Sequence, residues 1–444
     1  MFAIQKSVSA MSSLLDVYVL DRMVGVLSDH SDQYVFNYLP DTPPEYLVSL
    51  TMPVRLESYV WQRSLFPFFQ QNLPEGFKKD AIRQTLGPHA DVTDWGLLEL
   101  TGTNVIGRVR VVPHGTPITT VLSHIEVAAI LASEDSQSSL LRYLNEGVLE
   151  GISGVMPKVL NSSVNAKATV WTDDLILKTG TQEILGLAIN EYLCLEVARA
   201  AGLNVPKTEL SADGQVLAVG RFDRKGGQQL ALEDFCSIAA FDPVNKYKCS
   251  LERLVDLHNE YVVSTQKQES AKQLYKLILL NYALHNGDAH LKNFALVYSN
   301  YDDAVLAPVY DVVTTSAYPH LEDKPALSFQ GKKAWWMGKQ LRLLGNTRLS
   351  LLSRDLDEVE QGIHQAIDQV IPLLTEMIER YPYFRETGKR MLLEWNAGKQ
   401  DITIGAKKRV RIGSDALEEL KLSEVKKQKK KSISIPDSPF KMKR

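Results

Sequence analysis

The chain has 444 residues, 44% hydrophobic and 23% charged, with 50 Lys+Arg against 53 Asp+Glu for a formal net charge of −3. Domains usually run to about 100–200 residues, so two or three subdomains with a sizeable core are expected, and the near-balanced charge excludes a chain-wide nucleic-acid binder. Cys194, Cys236 and Cys249 form no C-x-x-C pair, and no apolar run nears the roughly 20 residues that span a bilayer; a disulfide framework, a zinc site and a membrane span are excluded, and a cytoplasmic protein is expected.

Residues 1–10 lack the apolar stretch of a secretory signal and are expected to be a flexible extension. Asp16–Leu20, a turn at Asp21-Arg22, Met23–Leu27 and Tyr34–Tyr38 alternate β-branched and aromatic residues around polar pairs, the signature of hairpin strands. Arg63–Leu86 reads as helix, interrupted where Pro74 and Gly76 force a turn, and Val105–Val112 returns to strand. Residues 11–135 therefore read as a small α/β subdomain.

Leu140–Val148 is a helical segment, followed by a turn at Gly151-Ile-Ser-Gly-Val-Met-Pro-Lys158. Strands are expected at Ala168–Trp171 and Leu175–Lys178, joined through Asp173-Asp174. Glu183–Ala201 predicts an amphipathic helix, with Thr181 placed to cap it and Gly202 and Pro206 as its stop. Thr208–Leu210 and Val216–Val219 form another hairpin, turning at Asp213-Gly214. Strands and helix in this order, over residues 136–235, suit a lobe that clamps a nucleotide.

From Ser264 the pattern is helical, most strongly over Lys272–Leu284. A turn at Asn286–Asn293 precedes strands at Phe294–Tyr298 and Ala304–Val309, the second ended by Asp311. Helices dominate from Asp355 to Trp395, with apolar residues at three- and four-residue steps over Val359–Ile378. Residues 236–424 thus read as a helical lobe, and residues 425–444, with eight Lys/Arg against one acid, as a disordered basic tail.

Phosphoryl transfer asks a protein for a carboxylate to orient the attacking hydroxyl, oxygen ligands for Mg²⁺ and a cation on the phosphates. Asp288-Ala-His-Leu-Lys-Asn293 sets an acid and an amide five residues apart in a loop after a helix, and Asp311 follows two strands later. In that order Asp288 is the candidate base and Asn293 and Asp311 are candidate Mg²⁺ ligands, with His290 and Lys292 as phosphate partners. Lys178, ending its strand, is the candidate cation on the phosphates of ATP. Glu191, Glu183 or Glu196 on the following helix could orient it. Gly151-Ile-Ser-Gly154 is a short glycine turn able to wrap phosphates.

In chain order, Leu65-Phe-Pro-Phe-Phe-Gln-Gln-Asn-Leu-Pro-Glu-Gly76, Ser153-Gly-Val-Met-Pro-Lys158, Asn190-Glu-Tyr192 with Ala201-Gly-Leu-Asn-Val-Pro206, Arg221-Phe-Asp-Arg224, Asn286–Asn293 and Val309-Tyr-Asp-Val312 resemble the segments of HipA-family kinases. The resemblance covers nearly the whole chain. It implies an α+β fold: a bilobal protein-kinase-like core related to lipid kinases, with a small N-terminal subdomain and a mostly helical C-terminal lobe. It also implies ATP and Mg²⁺ as cofactors, with Asp288 as base, Asn293 and Asp311 on the metal, and Ser153, Gly154 and Lys178 on the phosphates. Arg221 and Phe222 fall where the interlobe hinge meets adenine, with Asp223 towards the ribose.

Such kinases autophosphorylate a phosphate-loop serine, and the charge of about −1.5 to −2 placed beside bound phosphates explains how this switches them off. Ser153 is the counterpart here. Gly151 stands where relatives carry the earlier serine of a Ser-Ile-Ser pair, and Met156 where many have Gln. The resemblance further implies an aminoacyl-tRNA synthetase as substrate and a helix-turn-helix, HipB-like antitoxin as partner, with DNA contacted only through it. Transfer of AMP by a reversed nucleotide, and a structural ATP-binding co-repressor, are the competing readings. A metal hydrolase is poorer, because the nine histidines form no H-x-x-x-H pair.

Overall fold

The computed structural model describes residues 13–31, 33–74, 93–103, 105–118, 126–149, 168–172, 174–180 and 184–403. The expected flexible ends, Thr181, Glu183, and the turn with Gly151, Ser153 and Gly154 lie outside these residues.

Five antiparallel strands open the fold: β1 (Leu14–Val19), β2 (Arg22–Asp29), β3 (Gln33–Tyr38), β4 (Tyr59–Gln62) and β5 (Val109–Pro113), in the order β4-β3-β2-β1-β5. Period-two alternation buries Leu15, Val17 and Val19, with Leu27 and Phe36 across the ladder. Phe68 and Phe69 of α1 (Pro67–Gln70) and Leu97 and Leu98 of α2 (Asp94–Thr101) join that cluster. The helix expected from Arg63 begins only at Pro67. Arg63 has φ 73°, and Pro67 takes the first helical position, where its missing N–H is no loss. The strand expected from Val105 likewise starts at Val109, beyond Gly107 at φ 95°.

A second antiparallel sheet, in the order β6-β7-β9-β8, comprises β6 (Ala168–Trp171), β7 (Leu175–Thr179), β8 (Thr208–Leu210) and β9 (Val216–Gly220). Leu177, Val216 and Ala218 pack with Ile130 and Leu131 of α3 (Val127–Ala132) and Leu140 of α4 (Ser136–Leu149). Ile176, Leu217 and Val219 turn instead to the cluster holding α5 (Leu187–Ala200). Alternation therefore delivers Lys178, two residues from Ile176, to the α5 face. That helix starts at Leu187, not Glu183. Its N-cap Gly186 sits at φ 73°, and a Cβ there would lie 2.4 Å from Phe384, so glycine alone fits.

Beyond a short ribbon of β10 (Arg224–Lys225) and β11 (Gln228–Gln229), a third sheet orders β12 (Ala231–Asp234), β13 (Ala295–Tyr298) and β14 (Val305–Leu306). Around it stand α6 (Phe235–Ile238), α7 (Leu251–Tyr261), α8 (Lys267–Ala283), α9 (Gly338–Arg348), α10 (Ser353–Arg380) and α11 (Arg385–Ile402). Leu274, Ile278, Ile363, Ile367, Leu374 and Trp395 from α8, α10 and α11 form the deepest part of the core. Each such side chain contributes roughly 1.5–3 kcal/mol on burial. Gly398 lets α11 close on the end of α8, for a Cβ there would be 2.0 Å from the Ala283 carbonyl.

Three buried polar side chains tie the N-terminal subdomain to the region of the third sheet. Glu233 accepts from Ser49 Oγ (2.7 Å), Leu50 N (2.9 Å), Ser237 Oγ (3.0 Å) and Tyr298 OH (3.1 Å). Burial raises its pKa against the pull of those donors. Gln71 donates to the Leu232 carbonyl (3.0 Å) and accepts from Asp234 N (3.2 Å). Arg108 donates to the carbonyls of Ser299 and Glu45. Among the described residues no helix is long and apolar enough to cross a membrane.

Candidate active site

Lys178 and Glu191 are the best-defined pair. Lys178 is 6% exposed and Glu191 1%, and the ammonium donates to Glu191 Oε1 at 2.5 Å. The same ammonium also bonds Asp311 Oδ1. Of the three glutamates the sequence left open, Glu191 is the partner; Glu196 pairs with Arg199. A buried ammonium needs such partners, because an unpaired charge at this depth is too costly to keep.

Asp311 does not end a strand, as expected from the sequence. β14 stops at Leu306, and Val309 N–H leaves the ladder to donate to the Asn204 carbonyl at 2.7 Å. Asp311 itself has φ 55°, a left-handed conformation that Asp tolerates better than most residues. The chain beyond it is fixed by Asn190, which accepts from Thr314 N (2.8 Å) and donates to its carbonyl (3.1 Å). Trp395 Nε1 holds the Thr314 hydroxyl at 2.8 Å. One helix, α5, thus anchors both Glu191 and the Asp311 segment.

The loop after α8 is tied at both ends. Asn286 N–H donates to the Asn281 carbonyl (2.8 Å), its Nδ2 to Asn281 Oδ1 (2.7 Å), and its Oδ1 accepts from Asp288 N (3.1 Å). Gly287 N–H reaches Thr315 Oγ1 at 2.6 Å, and a Cβ at Gly287 would lie 2.7 Å from the Lys324 carbonyl. That close approach explains the glycine of Asn286-Gly-Asp288. Asn293 Nδ2 donates to the Asp288 carbonyl at 2.8 Å, so the five-residue spacing closes the loop on itself. His285, at the loop's start, is fully buried with Nδ1 2.7 Å from Glu394 and Nε2 3.2 Å from Asp401.

With Nδ2 of Asn293 committed, its Oδ1 and the Asp311 carboxylate are the hard oxygen donors. They fit Mg²⁺, which takes one or two protein oxygens and keeps the rest for phosphate and water. Tyr310 OH donates to the Lys292 carbonyl at 2.8 Å, bringing the Asp311 segment against the loop. Burial, reinforced by Asp234 and Asp311, raises the Tyr310 phenol well above its ordinary pKa, so it stays a donor.

The remaining sequence candidates lie differently. Lys292 directs its ammonium to the Gln71 carbonyl (3.0 Å) in the N-terminal subdomain. His290, 3% exposed, packs edge-on to Tyr247 with ring centroids 5.0 Å apart. Arg221 and Asp223 pair with each other through two bonds, Nε–Oδ1 at 2.9 Å and the second NH–Oδ2 at 2.5 Å. Asp223 Oδ2 also accepts from Gly107 N at 2.8 Å. Both side chains are nearly fully buried, at 3% and 1% exposure, where they brace the chain between sheets. Phe222 stacks on Tyr310 at 5.5 Å and 24°. Tyr247, which the sequence did not single out, donates its hydroxyl to Asp288 Oδ1 at 2.7 Å.

Comparison with known proteins bears on the family and the fold. The model described as HipA-like C-terminal domain matches residues 151–378, and that of the HipA N-terminal domain residues 15–112. A putative kinase, Y4dM, of Sinorhizobium fredii is 26% identical over 358 residues, covering 77% of this chain and 79% of that protein. The serine/threonine-protein kinase toxin HipA of Shewanella oneidensis is 25% identical over 423 residues, 87% of this chain and 95% of the relative. A solved structure of HipA from S. oneidensis MR-1 with HipB and its operator DNA shares the fold, with TM-score 0.63 at 18% identity, over 89% of this chain and 100% of that one.

Proposed function

Because the chain belongs to the HipA family, we propose that it is a serine/threonine protein kinase that moves the γ-phosphate of ATP to a protein serine. The observation that carries this reading is Lys178 held between Glu191 and Asp311. A cation so placed serves the phosphates, and Asp311 and Asn293 serve the metal. Asp288 takes the proton of the acceptor hydroxyl. Mg²⁺, when bound, neutralises charge on the phosphate oxygens. Every other part is positioning: Asn190, Thr315 and Gly287 hold the two carboxylate segments within reach of each other.

The acceptor we favour is an aminoacyl-tRNA synthetase, whose phosphorylation arrests translation in the cytoplasm, with Ser153 as the self-inactivating site. The likeness to a toxin kinase solved with HipB and operator DNA supports a helix-turn-helix antitoxin as partner, with DNA reached through it. The test is incubation of the purified protein with Mg²⁺ and γ-labelled ATP beside an Asp288→Asn control, with labelled sites mapped by mass spectrometry. Label on Ser153 in the natural protein only is the expected result, since loss of a positioned base costs about 10²–10⁴-fold. A chain of unmodified mass that binds ATP yet labels neither itself nor a synthetase panel would overturn the reading in favour of a structural co-repressor.

A further inference from the structure

We infer that Tyr247 is a positioning residue for Asp288, its phenol holding the carboxylate in the orientation that meets the acceptor hydroxyl. The inference rests on Asp288 being the base. An aspartate carboxylate turns over a broad, two-fold torsional range, and a base that turns misses its proton. The Tyr247 hydroxyl removes that freedom at Oδ1, at 2.7 Å.

The phenol is itself well held. Its ring stands edge-on to His290, with centroids 5.0 Å apart and planes at 80°. The preceding residue, Lys246, accepts from Leu291 N–H at 3.2 Å through its carbonyl, so the tyrosine segment and the catalytic loop move together. Lys246 and Lys333 place their ammoniums 5.7 Å from the ring centroid. Two residues on, the Cys249 carbonyl accepts from Ser328 N–H at 3.1 Å, joining this segment to the chain beyond Asp311.

Tyr247→Phe keeps the ring on His290 and deletes only the donor. Measured as total γ-phosphate leaving Mg-ATP (label on the chain plus inorganic phosphate), its single-turnover rate is expected to fall about tenfold, with half-saturation by ATP unchanged. A loss confined to the rate, with half-saturation and the thermal midpoint unmoved, is what a purely structural role would not give. A Tyr247→Phe protein with the natural rate overturns the inference. So does phosphate on Tyr247 after incubation with ATP, which would make the phenol an acceptor. Activity retained by Asp288→Asn would sink the assignment of Asp288 as base, whereas an inactive Asp288→Asn beside an unaltered Tyr247→Phe sinks this inference alone.

Discussion

Glu191→Gln tests the Lys178 arrangement at constant shape. The glutamine fills the same volume at a site 1% exposed and offers Lys178 a neutral acceptor where a carboxylate stood at 2.5 Å. A hydrogen bond to a charged group contributes about 1.5–3 kcal/mol and a neutral one about 0.5–1.5, so the exchange costs about 1–2 kcal/mol. That converts to about 5–30-fold in kcat/KM for ATP. The structure also says where the loss goes. Lys178 has a second carboxylate, Asp311, and without the Glu191 charge its ammonium leans on that residue alone. Asp311 then gives up the lysine less readily for a metal, so half-saturating Mg²⁺ should rise by a similar factor. The assay is phosphotransfer over a Mg²⁺ titration at fixed ATP, with folding followed by thermal melt. A Glu191→Gln enzyme with natural kcat/KM and natural Mg²⁺ dependence refutes the reasoning.

Two further expectations concern the scaffold. Burial pushes His258 down to about 4 from its ordinary 6.5, beside Ser270 at 2.7 Å. The unfolded chain therefore takes up the proton first as pH falls, and stability is lost from about pH 6.5 down to about 4; the loss between pH 7 and 5 is about 2 kcal/mol. Urea unfolding at both pH values should show that loss shrinking by the same amount in His258→Gln, and an identical pH dependence in the two proteins contradicts it. Gly186→Ala combines a left-handed conformation with a Cβ 2.4 Å from Phe384 and should cost about 2–4 kcal/mol. Denaturant midpoints read this directly, and a shift below about 1 kcal/mol would mean that Phe384 yields freely.

Strands with local alternation were legible. The β1–β3 run, the hairpin about Asp213-Gly214 and β6–β7 fall where period two and polar turns put them. Errors arise where distant chain sets the limit. The helix expected from Glu183 waits for Leu187 because Gly186 is left-handed, and what demands a glycine there is Phe384, some two hundred residues on. The second strand before Asp311 is cut short because Pro308 has no N–H to continue the ladder and Val309 N–H goes to the Asn204 carbonyl. β4 and α9 carry too weak a pattern to stand out from the loops beside them. Each exists through partners, β4 by pairing with β3, and α9 by burying Leu341 and Leu344.

The site divides along the same line. Asp288 and Asn293 were legible because their spacing closes one loop through a single hydrogen bond, a relation written within six residues. Lys178 was legible as a strand-end cation, but its choice among three glutamates was not, since a helix's face is fixed only once its start is known. A start at Leu187, combined with period two on β7, turns Glu191 and Lys178 to the same interior. Lys292 shows the converse. Its place in the loop suggested phosphate, yet the N-terminal subdomain supplies the Gln71 carbonyl at 3.0 Å. The Gln71 of the segment Leu65–Gly76 thus acquires a physical reason: it plugs the ends of β12 and carries the catalytic loop's lysine.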